Sequence, residues 1–267
     1  MFDREKIRHS FGRNAHRYDG FASVQKLVVE RLATLILQQC PPGTVHNFLD
    51  VGCGTGAMLS SLKHLYPGAT GIGLDLAFEM ARAASGVAGT VCGDAEHLPF
   101  CGASLDLVVS ASTLQWLDGF ETCLSEFARV ATPGGAVCVA FFGGETLREL
   151  HHSYQLVLGG RCGGGDARLG RLHRFRGGDD LSRALEGSGL HQICLFSERY
   201  VDLRKGLFDL LGSIKGIGAG PGGGGTGGLG WRGVLNEVER CYRQEYGRDD
   251  GMMPATYETV YLVAEKR

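Results

Sequence analysis

The stretch HNFLDVGCGTGAML, residues His46 to Leu59, constrains this chain more than any other. An apolar run suited to a buried strand breaks into three glycines, Gly52, Gly54 and Gly56, and resumes as a helical pattern. A glycine turn between strand and helix offers backbone to a ligand at the carboxyl end of a parallel sheet. Gly52, Gly54 and Ala57 satisfy the dinucleotide fingerprint G-x-G-x-x-[GA], and Asp75 lies where a ribose-binding acid belongs. The motif alone does not say whether the ligand carries phosphate.

Asp50, two residues before Gly52, bears on that. A carboxylate beside a pyrophosphate is repulsive, whereas beside an ammonium or sulfonium it is attractive. S-adenosylmethionine has both cations, no phosphate, and a ribose diol for Asp75. Asp94, in GDAEHLPF, stands where a carboxylate accepts from an adenine amine.

Around this loop the chain alternates strand and helix patterns. Strands are expected at FLDV, TGIGLD, GTVCGD, LDLVVSAS and GAVCVAFF. Helices are expected over 21–39, after Gly56, and over 76–84 and 121–131. Such alternation means a parallel sheet covered on both faces. Beyond Phe142 the pattern predicts a helix over 145–158, a short one in LSRALEGSGL, the strand QICLFSERYVDL and a helix over 203–215. WRGVLNEVERCYRQEY is a further helix and ATYETVYLVAEK a last strand. Many of the 43 glycines fall in two tracts, GGRCGGGDARLG and GIGAGPGGGGTGGLG, expected to be long loops.

Bulk properties narrow the function classes. The 27 basic and 29 acidic residues nearly cancel, which argues against a general nucleic-acid binder. No apolar run approaches the ~20 residues a membrane helix needs. The N-terminus carries charge without an apolar segment, so no secretory signal is expected. Nine scattered cysteines without a C-x-x-C pair read as reduced thiols of a cytoplasmic protein, with no metal site.

LDVGCGTG, GLD, GDAEHLPF, LDLVVSASTLQWL and LSEFARVATPGGAVCVAFF resemble, in order and spacing, the class I S-adenosylmethionine-dependent methyltransferases over residues 46–142. The resemblance implies a Rossmann-like α/β fold, a seven-stranded sheet whose last strand, 255–267, is antiparallel. It implies cofactor contacts from Asp50, Gly52, Cys53, Gly54, Gly56, Asp75, Leu76, Met80, Asp94, Ala95, Glu96 and Ser110. The flanking segments FGRNAHRYDGFASVQ, FFGGETLREL, LLGSIKGIGA and MMPATYETVY resemble the malonyl-acyl-carrier-protein O-methyltransferases of biotin synthesis over nearly the whole chain. Residues 1–267 are then one domain, with N-terminal lid helices over 1–40 and lid or substrate insertions over 144–180 and 203–235. The two glycine tracts depart from the family pattern.

Methyl transfer to a carboxylate needs no general base, because an acid of pKa near ~4 is already ionised at neutral pH. No His–Asp or His–Cys arrangement stands out, in keeping with that acceptor. Alignment and water exclusion are what remain to be supplied. Tyr18 is the first lid candidate, and Gln115 and Trp116 are expected to border the adenine or the reacting methyl. Arg148, Arg199, Lys215 and Tyr257 are candidates to orient the malonyl carboxylate. Arg161, Arg168, Arg171, Arg174 and Arg176, with His173 and only Asp166 opposing, form a basic stretch suited to an acidic acyl carrier protein. Malonyl coenzyme A, a small polycarboxylic acid or a quinone precursor are the alternative acceptors. A non-catalytic adenosylmethionine-binding regulator and a nucleotide-dependent oxidoreductase are the readings from other classes.

Overall fold

The computed structural model describes residues 3–159, 175–219 and 230–267. The alternating patterns condense into one seven-stranded sheet in the order β3-β2-β1-β4-β5-β7-β6. Its strands are β1 (Asn47–Val51), β2 (Thr70–Asp75), β3 (Gly89–Cys92), β4 (Leu105–Ala111), β5 (Ala131–Phe142), β6 (Leu190–Arg204) and β7 (Met253–Lys266). The first five run parallel, and β7 is antiparallel to both β5 and β6. This is the Rossmann-like methyltransferase sheet expected from the sequence.

The helices are α1 (Arg4–Asn14), α2 (Ser23–Gln39), α3 (Ala57–Leu65), α4 (Phe78–Ala84), α5 (Glu121–Val130), α6 (Arg148–Gly159), α7 (Gly178–Leu185), α8 (Leu207–Gly216) and α9 (Gly230–Tyr246). Successive strand residues point to opposite faces, and so the sheet carries two cores. On one face Phe48, Leu59, Leu32 and Tyr242 pack with α2, α3, α6, α8 and α9. On the other, Leu49, Val108, Phe127 and Leu181 pack with α5 and α7. The core strands read as unbroken apolar runs because both faces are covered.

Several boundaries shift by a few residues from the sequence pattern, and two show why. β5 begins at Ala131, ahead of GAVCVAFF, because Ala131 already pairs with Leu105 before a register shift restores the ladder at Ala136. The helix expected over 203–215 begins at Leu207, because β6 continues to Arg204 opposite Met253.

Strand order reverses between β1 and β4. The chain builds β2 and β3 to one side of β1 and then crosses to β4 on the other. Open α/β sheets bind ligands at this crevice, beyond the carboxyl ends of the strands.

Candidate active site

A cavity opens at that switch point, with about 810 Å³ of non-atom space including its open mouth. That size suits a nucleoside-sized ligand. Its floor is made by Gly52 and Gly54 after β1, Asp75 at the end of β2, Asp94 after β3, and Ser112 and Thr113 after β4.

The glycine loop uses its own donors. Gly52 N–H and Cys53 N–H both donate to the Leu74 carbonyl, at 2.7 and 3.0 Å. Gly54 N–H donates to Asp75 Oδ2 at 2.9 Å, and Gly56 N–H donates to the Cys53 carbonyl at 2.9 Å. Phosphate sites work by aiming free N–H groups at the anion. Here these four are spent inward, and a carboxylate stands where a phosphate would sit.

Two glycines are required by geometry. Gly52 has φ +75°, and a Cβ there would lie 2.0 Å from Thr113 Oγ1. Gly54 has φ +54° with nothing within 4 Å of a built Cβ, so its bare side faces open cavity.

Asp75 is the best-anchored acid. Oδ2 accepts from Gly54 N–H and Oδ1 accepts from Ala77 N–H at 2.8 Å. Each oxygen keeps a lone pair for a diol. Burial raises its pKa, while the two backbone hydrogen bonds pull it back.

Asp50 is 1% exposed, and beyond a weak approach of the Leu59 backbone N–H neither carboxylate oxygen has a hydrogen-bond partner among the described residues. Burial, then the nearby Asp75 charge, pushes its pKa up to about 8. An orphaned buried carboxylate is costly, and a cation held nearby would relieve it. Asp50 lies beneath the loop rather than on the cavity wall.

The remaining candidates divide by location. Leu76, Met80, Ala95, Trp116 and Tyr18 line the cavity beside Gly52, Gly54, Asp75 and Asp94. Cys53 is buried, and burial raises its thiol pKa further. Gly56 caps α3 in a left-handed conformation. Ser110 Oγ donates to the Val51 carbonyl at 2.8 Å, tying β4 to β1 below the floor. Glu96 pairs with Arg4. Gln115 is buried and donates Nε2–H to the Ser112 carbonyl at 2.7 Å, leaving Oε1 without a partner among the described residues.

Arg148, Arg199, Lys215 and Tyr257 do not line this cavity. The Arg148 guanidinium lies 3.4 Å from Glu149 and 3.8 Å from Glu145. Arg199 and Lys215 are exposed, on β6 and α8. Tyr257 lines a smaller hollow between α2, α8 and β7, with Phe21 and Arg204. Of the arginines expected to meet an acidic partner, Arg176 lies within the described residues, 5.7 Å from the Phe120 ring centroid. Arg161, Arg168, Arg171 and Arg174, with Asp166 and His173, lie outside them.

Within the N-terminal segment expected to form a lid, the structure brings to the cavity residues that the sequence did not single out. Ile7, Arg8 and Phe11 of α1 cover the cavity, and Arg4 Nη1–H donates to Asp94 Oδ2 at 2.6 Å. Phe11 meets Trp116 edge-on, with centroids 5.4 Å apart. Ser112, also missed, has φ +58° and a buried Oγ without a partner among the described residues. Its conformation is held by its N–H to the Ala140 carbonyl at 2.7 Å.

A family described as a methyltransferase domain matches residues 49–139. Malonyl-[acyl-carrier protein] O-methyltransferase from Geobacter sulfurreducens is 38% identical over 274 residues, covering 100% of both chains. The protein of the same name from Halorhodospira halophila is 34% identical, covering 97% of this chain and 86% of that one. Among solved structures, geranyl diphosphate C-methyltransferase from Streptomyces coelicolor A3(2) shares the fold. Its TM-score is 0.52 at 13% identity, covering 89% of this chain and 79% of that one.

Proposed function

The chain belongs to the malonyl-[acyl-carrier protein] O-methyltransferase family and is an S-adenosylmethionine-dependent methyltransferase. We propose that it esterifies the free carboxylate of a malonyl group carried on acyl carrier protein, a step of biotin synthesis in the cytoplasm.

The observation that carries the cofactor reading is the fate of the loop donors. Four N–H groups of the glycine loop are bonded inward, with the Asp75 carboxylate beside the loop and Asp50, which a bound cation would ionise, below it. This donor set suits a ribose and a cation and disfavours a pyrophosphate. When bound, the cofactor supplies a methyl group on a sulfonium, a leaving group that needs no protonation. The chain's own residues bind, orient and exclude water.

In this reading Asp75 accepts both ribose hydroxyls, and Asp94, Ala95 and Leu117 hold the adenine end. Asp50 acts through space, stabilising positive charge above it. Tyr18 is half-buried at the cavity, where burial and the Asp75 and Asp19 charges hold its phenol pKa well above the usual value. It is therefore a neutral donor at physiological pH and not a base. Such a donor suits an acceptor that arrives already ionised. It would orient one carboxylate oxygen while the other attacks. Opposite charges on carboxylate and sulfonium cancel toward the transition state, so water stabilises the reactants more. The α1 roof and the Trp116–Phe11 contact keep water out. Among the four acceptor candidates Tyr257 faces a hollow, and we assign it the outer part of the acceptor.

One assay tests this. Labelled adenosylmethionine is offered with malonyl carrier protein, malonyl coenzyme A, free aconitate and a quinone precursor side by side. Label is expected in malonyl carrier protein foremost. Preferential labelling of aconitate or the quinone precursor, or no transfer at all, overturns the reading.

A further inference from the structure

The 3-10 turn Ala15–Gly20 carries Tyr18 to the cavity, yet none of its residues is buried. The turn packs against α1, α4 and α8 without a fully buried residue, which leaves polar ties a part in fixing it. Within the turn, the Tyr18 carbonyl accepts from Phe21 N–H at 2.9 Å. The neighbouring Asp19 is held from two other places. Its carbonyl accepts from Lys26 Nζ at 2.8 Å, which fixes the turn to α2. Its Oδ1 accepts from Thr55 Oγ1 at 2.7 Å, across 36 positions of chain.

Thr55 sits in the middle of the cofactor loop. Gly54 before it forms the cavity wall and bonds to Asp75, and Gly56 after it opens α3. The Thr55–Asp19 bond thus joins the loop that holds the cofactor to the residue next to Tyr18. The bond is exposed to solvent and its acceptor is a carboxylate, so its effect lies in geometry more than in stability. Misplacing a reacting group by about 1 Å can cost on the order of a hundredfold in rate, so a tie that sets Tyr18 against the cofactor loop has kinetic consequences.

We propose that Thr55 and Asp19 are positioning residues, whose hydrogen bond sets the Tyr18 phenol in register with the bound cofactor and so with the acceptor carboxylate. The proposal rests on the carboxylate-methylation reading above. Thr55 and Asp19 touch neither the methyl group nor the acceptor; they act through Tyr18.

The test uses the full chain saturated with adenosylmethionine. Thr55→Val removes the hydroxyl at nearly constant shape, and Asp19→Ala removes the acceptor should Thr55→Val fold poorly. Turnover with malonyl carrier protein is expected to fall about tenfold in either, while the cofactor Kd changes less than about threefold. Thr55→Ser, which keeps the hydroxyl, is expected to restore turnover. In a Tyr18→Phe background, Thr55→Val is expected to change turnover by less than about twofold, because coupled residues are not additive. Hydrogen exchange at residues 15–21 is expected to accelerate in Thr55→Val and Asp19→Ala, but not in Thr55→Ser. Full additivity with Tyr18→Phe, unchanged exchange, or a Kd raised as much as turnover falls each overturns the proposal. The exchange arm needs no acceptor, so a failure of the proposed substrate and a failure of the tie are told apart.

Discussion

Arg4 and Asp94, 90 positions apart, meet at 2.6 Å and join the first turn of α1 to the loop after β3. The same guanidinium pairs with Glu96. Asp94 also accepts Glu96 N–H through Oδ1 at 2.9 Å, so the loop is braced from both sides. The roof is thereby fastened where Asp94 lines the cavity. Arg4 and Asp94 remain partly exposed, which limits what the pair contributes to stability. Its effect is expected in the opening of the roof.

Arg4→Ala is accordingly expected to speed adenosylmethionine release about three- to tenfold, with a smaller effect on melting temperature. The wild-type release rate should rise with ionic strength as the pair is screened, and the variant's should not. Stopped-flow displacement reads both. Equal release rates in the two proteins would show that α1 is not a gate.

Asp75→Ala removes the acceptor for Gly54 N–H and Ala77 N–H as well as the proposed diol contacts. Cofactor affinity should weaken by ~2–4 kcal/mol, the scale of two charge-assisted hydrogen bonds. NADH should not bind the wild type. Calorimetry on a folded variant with undiminished affinity would remove Asp75 from the site.

The strand ends were legible before the fold. Asp50, Asp75 and Asp94 each close an apolar run, and a parallel sheet brings such ends to one edge whatever the details of packing. The fate of the loop donors was not legible, because Gly52 and Cys53 bond to the Leu74 carbonyl only once β2 lies beside β1. Within the expected lid of residues 1–40, which residues meet the cavity was hard to read for a different reason. Among its own residues α1 buries only Gly12, so it lacks a strong apolar stripe. Arg4 is explained by Asp94, a partner that no local pattern announces. Arg148 was placed by motif order near the acceptor, but its guanidinium is turned to Glu145 and Glu149.

Asp50 is expected to make cofactor binding proton-linked. Its pKa is raised from 3.8 to about 8, chiefly by burial, so the free folded protein holds a proton that the unfolded chain has lost. Stability from this group is present below about pH 4 and is lost as pH rises through about 8. A bound cation favours the ionised form. At pH 7 wild type should therefore release about one proton more than Asp50→Asn on binding adenosylmethionine, and the difference should vanish above about pH 9. The ligand's own amino group titrates alike in both proteins and cancels. Calorimetry in buffers of different ionisation enthalpy measures the difference, and equal release in the two proteins would contradict the role of Asp50.

The acceptor chemistry sets the last expectation, the pH dependence of turnover. A carboxylate acceptor is ionised throughout pH 6–8, and Tyr18 stays protonated there because burial and two acidic neighbours raise its pKa. The Asp50 transition belongs to the free enzyme and is removed by saturating cofactor. With both substrates saturating, the chemical step should therefore be nearly flat from about pH 6 to 8, while kcat/KM for the cofactor rises toward pH 8 with the ionisation of Asp50. Tyr18→Phe should lower the single-turnover rate about tenfold, the loss of one donor, and leave the flat profile unchanged. A unit-slope rise in the wild-type chemical step would instead mean an acceptor that must lose a proton, such as a phenol. A slope that disappears in Tyr18→Phe would make the phenol the base, against its raised pKa.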